Sequence, residues 1–336
     1  MNKSITLVTG GAGFIGSNFI EFLMNFSNDN VINIDKLTYA GNLDNLKSVE
    51  NNRRYIFLKG DICDTSFMDN LFKNYNITKV YHFAAESHVD NSITGPKTFI
   101  DTNIVGTFNL IHAAYTKWMD GPGQLKEEFL KARFLHISTD EVYGTLGETG
   151  LFTESTPYAP NSPYSASKAA SDMLVRSYFH TYNFPVITTN CSNNYGPHQH
   201  KEKLIPTIIR KALSGEKIPI YGDGKNVRDW LYVLDHCKGI KLALENGTLG
   251  ETYNIGGKNE RQNIYIATMI CDILDEMQPK ESPYKEQISY VSDRPGHDFR
   301  YAIDASKIEN ELGWEAQENF ETGIRKTISW YLELGE

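Results

Sequence analysis

Short runs of β-branched and aromatic residues recur through the first 190 positions, separated by longer stretches of helical spacing. Residues 5–9, 31–35, 55–58, 79–83, 134–138 and 186–190 read as strands, and most gaps between them are long enough for a crossover helix. That alternation predicts an α/β fold on a doubly wound parallel sheet, covered by helices on both faces. Residues 39–50, rich in Asn and Leu, fit a loop and a short helix equally well. From about Cys191 the rhythm changes. Asn193-Asn194-Tyr195-Gly196-Pro197 is turn chemistry, and 218–224 is a short strand entering another turn. Residues 235–245, 264–277 and 320–334 carry helical periodicity, and 252–255 predicts a strand returning to the main sheet. The expectation is one domain over 1–190 with about 235–260, and a smaller mixed α/β lobe over about 191–234 with 261–336. A substrate cleft would lie between them.

Lys and Arg number 33 against 42 Asp and Glu, a net charge of −9. A nucleic-acid surface needs clustered cations to displace counterions, so this balance argues against one. The apolar run at 5–8 stops at glycines, too short for a signal peptide, and no run reaches membrane-spanning length. A cytoplasmic protein with no membrane partner is expected. Cys63, Cys191, Cys237 and Cys271 lack CxxC spacing and read as buried free thiols. His88 and His297 have no ligand spacing, so no metal is expected.

The first strand runs into Gly10-Gly11-Ala12-Gly13-Phe14-Ile15-Gly16, and a helical stretch follows at 17–24. Glycines at 10, 13 and 16 permit a tight turn, close approach to a pyrophosphate and close helix packing, while the helix start offers free N–H groups. A glycine pattern alone is weak evidence. This one follows a strand, opens a helix, and has Asp35 closing the next strand, which together make a Rossmann-type dinucleotide site. Asp35 suits both ribose hydroxyls and would repel a 2′-phosphate, favouring NAD over NADP, although the neighbouring Lys36 could answer such a phosphate.

Tyr164 and Lys168 stand four apart after Pro163, a residue that suits a helix start, so both lie on one helical face. An ammonium beside a phenol favours the phenolate, which can take an alcohol's proton. Such pairs are also common on solvated helices; the dinucleotide signature is what gives this one weight. Strand 134–138 ends in Ser138-Thr139-Asp140-Glu141-Val142-Tyr143-Gly144. Adjacent carboxylates are usually a solvated turn. At the carboxyl end of a sheet strand they border the ligand crevice instead.

The glycine loop together with Tyr164-x3-Lys168 resembles the extended short-chain dehydrogenase/reductase family. Within it, the 138–144 run resembles the dehydratase subgroup; epimerases carry small residues where Asp140 and Glu141 stand. Three later stretches extend the likeness to dehydratases of a dTDP-linked sugar: Asn193 to Pro197 with Lys203-Leu204-Ile205-Pro206, Pro219 to Gly224 with Arg228-Asp229-Trp230, and Asp293-Arg294-Pro295-Gly296-His297-Asp298. One departure is His198-Gln199-His200-Lys201-Glu202, where the pattern has a proline near 201.

The resemblance implies that NAD is lined by Gly10, Gly13, Phe14, Ile15, Gly16, Asp35, Lys36, Leu37, Thr38, Asp61, Ile62, Phe83, Ala84, Ala85, Ser87 and Thr102. Tyr164, Lys168 and Asn194 would complete that site. It implies a nucleotide sugar held by Ser87, Thr139, Asn193, Lys203, Leu204, Pro219, Ile220, Tyr221, Arg228, Asn263, Asp293, Arg294, Pro295, Gly296 and His297. Guanidinium forks suit a diphosphate, although an isolated Arg or Lys is more often a surface charge. Thr139, Asp140, Glu141, Tyr164 and Lys168 would form the catalytic set. Tyr164 would deprotonate the carbon 4 hydroxyl as hydride passes to NAD, Glu141 would take the carbon 5 proton, and Asp140 would protonate the hydroxyl leaving carbon 6. Return of the hydride to carbon 6 would leave a 4-keto-6-deoxy sugar. Asp140 must then be protonated near neutrality, and burial with the Glu141 charge would raise its pKa. A homodimer through helices at 98–117 and 164–182 is also implied. The competing readings are a nucleotide-sugar 4-epimerase, which needs neither carboxylate, and a non-catalytic NAD sensor, which needs no catalytic residue.

Overall fold

The computed structural model describes residues 4–293 and 297–334. The first half runs β1 (Ile5–Thr9), α1 (Phe14–Phe26), β2 (Asn30–Asp35), β3 (Tyr55–Lys59), α2 (Thr65–Asn74), β4 (Ile77–His82), α3 (Val89–Thr94), α4 (Pro96–Phe99), α5 (Thr107–Trp118), the hairpin β5 (Met119–Gly121) and β6 (Gln124–Leu125), β7 (Arg133–Thr139), α6 (Pro163–Tyr182) and β8 (Val186–Cys191). The second continues through β9 (Asn193–Tyr195), α7 (Leu204–Leu213), β10 (Ile218–Tyr221), β11 (Val227–Tyr232), α8 (Val233–Asn246), β12 (Thr252–Ile255), β13 (Glu260–Gln262), α9 (Asn263–Met277), β14 (Ile288–Val291), α10 (Ser306–Leu312) and α11 (Phe320–Leu334).

A seven-stranded parallel sheet has the order β12-β8-β7-β4-β1-β2-β3. Its strands are apolar on both faces because helices cover both. Val8, Tyr81, Leu135 and Ile187 pack against α1 and α8, while their neighbours Leu7, Val80, Phe134 and Val186 pack against α2, α5 and α6. Period-two alternation thus feeds two cores from one set of strands. The strand at 252–255 does return to this sheet. Strand β4 begins earlier than 79, because Ile77 pairs beside Ile5 before the register shifts. Residues 39–50 hold a single 3-10 turn, Leu43–Leu46, whose cap Asn42 accepts from the Asp44 N–H.

The helix expected at 98–117 is composite: α4, a π-helical turn at Ile100–Gly106, and α5. Such wide turns often sit at functional sites, and this one carries Thr102. Helix α6 has Pro163 in its first turn and a Ser162–Ser165 capping box, and ends on Asn183 at φ 53°.

A further core, including Ile205, Ile209, Trp230, Ile270, Leu274, Phe320 and Ile328, joins α7, α9 and α11 to small sheets of β13-β11-β9 and β10-β14. Ala305, Ile308 and Trp314 depart from the expected division: they pack into the core of the main sheet, beside α8 and β12. Among the described residues no helix is long and apolar enough to cross a membrane.

Candidate active site

The carboxyl ends of β1, β2, β4, β7 and β8 border one cavity. Gly10 opens it at φ 69°, where a Cβ would fall 2.7 Å from the backbone of Ala84. At Gly16 a Cβ would meet the Gly10 carbonyl at 2.4 Å. The N-cap of α1 is Gly13, so no side chain covers the first-turn N–H groups, and no acidic residue stands there. Phe14, Ile15 and Gly16 line the cavity at that point. This cradle fits a pyrophosphate.

Asp35 ends β2, its two carboxylate oxygens accepting from the N–H groups of Ala12 (2.9 Å) and Leu37 (2.8 Å). Burial pushes its pKa up, while those N–H groups oppose the rise. Lys36 pairs with Asp61 at 2.7 Å, which raises the lysine. Thr38, Ile62, Phe83, Ala84, Ala85, Ser87, Thr102 and Asn194 all border the same cavity. Leu37 does not: at φ 57° it turns its side chain onto the core of the main sheet.

At the far end β7 delivers Thr139, Asp140 and Glu141, and the first turns of α6 deliver Tyr164 and Lys168. Asp140 is buried, with Oδ1 accepting from the Thr139 hydroxyl at 3.3 Å and Oδ2 without a partner among the described residues. Burial pushes its pKa well up, Glu141 and Asp229 add to this, and Arg228 and Thr139 oppose it. A protonated carboxyl is the state that suits such a place. Lys168 donates to the Ile137 carbonyl at 2.8 Å; burial pushes it down, and Asp172 and Cys191 act against that. The Tyr164 phenol departs from expectation. Burial and then Glu141 push it up, and the opposing contribution is its hydrogen bond with Thr139. Burial and the charge of Glu141 prevail here, not the lowering expected from an ammonium.

On the second lobe Lys203 lines the cavity and donates to the Ser87 carbonyl at 3.1 Å, and Asn193 lies beside it. The other expected substrate residues among those described lie outside this cavity. Arg228 is buried and lies 4.2 Å from the Tyr301 ring centre. It donates to the carbonyls of Val227, Phe299 and Asp298. Tyr221 lies edge-on to His297, whose Nδ1 is 2.7 Å from Asp293. Gly222 sits against that same carboxylate, and the Asn263 Oδ1 is buried without a partner among the described residues. Ile220 and Leu204 turn their side chains into or against the second core, and Pro219 is half-buried between. Arg294, Pro295 and Gly296 lie outside the described residues. The cavity also includes Glu86, within the stretch from Phe83 to Ser87 expected there, and Gly41, Ser138, Cys191, Gln199 and His200, which were not assigned to it. Ser138 and Cys191 were findable as strand-end residues; Gln199 and His200 come from a loop without a signal.

Cys191, Cys237 and Cys271 are buried, and Cys63 is half-buried. Burial raises every thiol, Cys63 to about 11 and Cys271 to about 12. Thiols so raised are poor nucleophiles. Single replacements by Ser or Ala are therefore expected to leave turnover within a few-fold. Cys191, which lines the cavity, is the most exacting case: loss of activity there with normal folding would contradict this.

A family model described as GDP-mannose 4,6 dehydratase matches residues 7–327. The chain belongs to this family. Within the family it is 59% identical over 328 residues to a dTDP-glucose 4,6-dehydratase of Xanthomonas campestris, covering 97% of this chain and 92% of the relative. It is 56% identical over 335 residues to dTDP-glucose 4,6-dehydratase 1 of Escherichia coli, with the same coverage. The structure of the Bacillus anthracis dTDP-glucose 4,6-dehydratase, in complex with NAD, superposes with a TM-score of 0.86 at 45% identity, covering 98% of this chain and 97% of that one. The UDP-glucose 4-epimerase of Thermotoga maritima also reaches 0.86, at 27% identity, covering 99% of this chain and 100% of that one. Backbone likeness alone therefore does not separate dehydratase from epimerase. Sequence identity does.

Proposed function

We propose that this chain catalyses the dTDP-glucose 4,6-dehydratase reaction, converting dTDP-glucose to dTDP-4-keto-6-deoxyglucose and water with NAD as cofactor. One observation carries the reading. A buried carboxyl whose protonated form is favoured by burial, Asp140, adjoins a second carboxylate, Glu141, in the cavity that also holds Tyr164 and Lys168. Epimerisation at carbon 4 has no use for such an acid and base.

Bound in the cavity, NAD supplies the two-electron acceptor and donor that let the sugar pass through a ketone. Tyr164 takes the hydroxyl proton at carbon 4, its phenolate supported by the hydrogen bond with Thr139 and by an ammonium, Lys168, one turn along the same helix. A ketone at carbon 4 acidifies carbon 5, and Glu141 removes that proton. Asp140 gives its own proton to the hydroxyl leaving carbon 6. Ser87, Thr139, Asn193 and Lys203 help to hold the nucleotide sugar, and Lys203, Arg228 and Arg294 suit its diphosphate. Leu204, Pro219, Ile220, Tyr221, Asn263, Asp293 and His297, with Arg294 to Gly296, hold the nucleotide. We assign the dinucleotide to 1–190 with about 235–260, and the nucleotide sugar to 191–234 with 261–336, less the 305–314 stretch packed on the main sheet.

Incubation with dTDP-, UDP-, GDP- and CDP-linked glucose tests this, read by the ultraviolet absorbance of a 4-keto sugar in base. The dTDP sugar is expected to give that absorbance fastest. Epimer without keto sugar would sink the reading.

Asp35 and the Lys36–Asp61 pair bear on the cofactor. Asp35 would oppose a 2′-phosphate, and Lys36, which could have answered one, is engaged by Asp61. NAD is expected to bind about a hundredfold or more tightly than NADP, since opposed like charges cost several kcal/mol. Asp35→Ala with Asp61→Asn should narrow that gap. Equal affinities in the parent protein, measured by calorimetry, would contradict it.

The protein acts as a homodimer in this reading. Ile93, Ile100, Val105, Phe108 and Met173 are each more than 40% exposed along α3, the π-turn, α5 and α6, and clustered apolar surface marks an interface. Free thiols throughout support a reducing, cytoplasmic setting.

A further inference from the structure

Behind the cavity, on the side of Lys168 away from it, lies a buried polar group that the reaction scheme leaves unused. Asp172 stands one turn after Lys168 on α6 and is 3% exposed. Its Oδ2 accepts from the Ser138 hydroxyl at 2.7 Å, and its Oδ1 lies 2.9 Å from His136 Nε2. His136 and Ser138 flank Ile137 on β7, and Ile137 lends its carbonyl to the Lys168 ammonium. Ser171 Oγ also lies 3.3 Å from His136 Nε2, so three successive residues of β7 are tied to three residues of α6. The next residues of that strand are Thr139 and Asp140. The ties therefore fix Lys168 and the catalytic carboxyls relative to each other.

The charges in this group can be assigned. His136 is pushed down by burial and by Lys168, with the His82 ring 5.4 Å away, so it is neutral at working pH. Its Nδ1 has no partner among the described residues. A proton on Nε2, directed at Asp172, leaves Nδ1 a bare acceptor and accounts for this. The other titratable groups near Asp172 are Tyr143, after β7, and Tyr158, ahead of α6; burial keeps both phenols neutral. Lys168 is then the one cation among these neighbours. A buried ammonium is costly without a partner, and the Ile137 carbonyl supplies no charge.

We infer that Asp172 is a positioning residue for the reaction: oriented by His136 and Ser138, it is the counter-ion of Lys168 and ties α6 to β7. This rests on the dehydratase reading for what Lys168 does, but the pairing itself does not.

Two measurements test it. Lys168→Met and Asp172→Asn are made singly and together, and their denaturant midpoints compared. A counter-ion pair predicts that the double variant recovers at least about half of the summed single losses, because neither charge is left buried alone. If Asp172→Asn alone does not fold, the double variant should. Additive losses, or a double variant that also fails to fold, overturn the inference. The second measurement is kcat/KM against pH for Asp172→Asn. Without the carboxylate Lys168 loses its proton more readily, so Tyr164 ionises at higher pH. The acid limb is expected to move about one unit or more to alkaline, a loss of about tenfold or more near neutrality that shrinks as pH rises. KM for the sugar should stay within a few-fold. An equal loss at every pH would mean a purely structural carboxylate. A non-additive midpoint cycle in a protein inactive on dTDP-glucose would instead sink the dehydratase reading and leave the pairing standing.

Discussion

Tyr164→Phe is expected to lower turnover about a hundred- to ten-thousand-fold, the range associated with loss of a general base, and to form no reduced cofactor on mixing with substrate. The substitution removes one oxygen from a side chain already buried beside Phe99. Packing and dinucleotide affinity should therefore hold, and binding of NAD checks that they do. The pH dependence follows from the surroundings of the phenol. Burial and Glu141 push it up, so its proton-accepting form is scarce at low pH and grows as pH rises. Activity should accordingly climb along an acid limb set by Tyr164. Lys168→Met should move that limb further to alkaline, since an ammonium one turn along the same helix favours the phenolate. A Tyr164→Phe enzyme that still reduces cofactor would assign the proton transfer at carbon 4 elsewhere, with Glu141 the first alternative.

The parts of this site legible in the sequence are those written in local pattern. Gly10 to Gly16 follows a strand and opens a helix, and Asp35 ends the next strand. Tyr164 and Lys168 share a helical face, and Asp140-Glu141 ends a strand whose carboxyl end must border the crevice. Each needs only spacing and the rule that ligands collect where parallel strands end. What escaped depends on distant parts of the chain meeting. Asp172 looks like a surface residue on an amphipathic helix until β7 is seen packed against it. Ile220 sits within a matching stretch, yet its side chain belongs to the second core. Leu37 adopts a left-handed backbone, and its N–H reaches back to Asp35. The π-turn at Ile100–Gly106 carries no residue signature, although it brings Asn103 to both Ser167 and the Glu86 backbone. The Tyr164 direction escaped for the same reason: spacing revealed its lysine, but not Thr139 or Glu141 coming from another strand.

Glu141→Gln and Asp140→Asn are expected to fail after oxidation, each by about a hundred- to ten-thousand-fold in turnover, and to differ in what they still do. With Tyr164 and Lys168 intact, Glu141→Gln should accumulate bound reduced cofactor, visible by its absorbance, and incorporate little solvent deuterium at carbon 5. Asp140→Asn keeps the base and loses the acid, so it should also stall with reduced cofactor yet retain exchange at carbon 5. Stability separates them further. Asp140 has its folded pKa raised above the unfolded value, so the folded state holds the extra proton between the two. Stability is then highest below the unfolded pKa, near the model-peptide value of about 3.9, and falls as pH rises toward the folded one. An amide carries no such cost. Asp140→Asn should thus be more resistant to denaturant than the parent at neutral pH, with the difference closing in acid. A site built for chemistry at the expense of stability would behave in this way. Near-normal turnover in Glu141→Gln would remove that residue as the base. An Asp140→Asn protein that forms no reduced cofactor, or that is less stable at neutral pH, would give Asp140 a role in binding or structure instead.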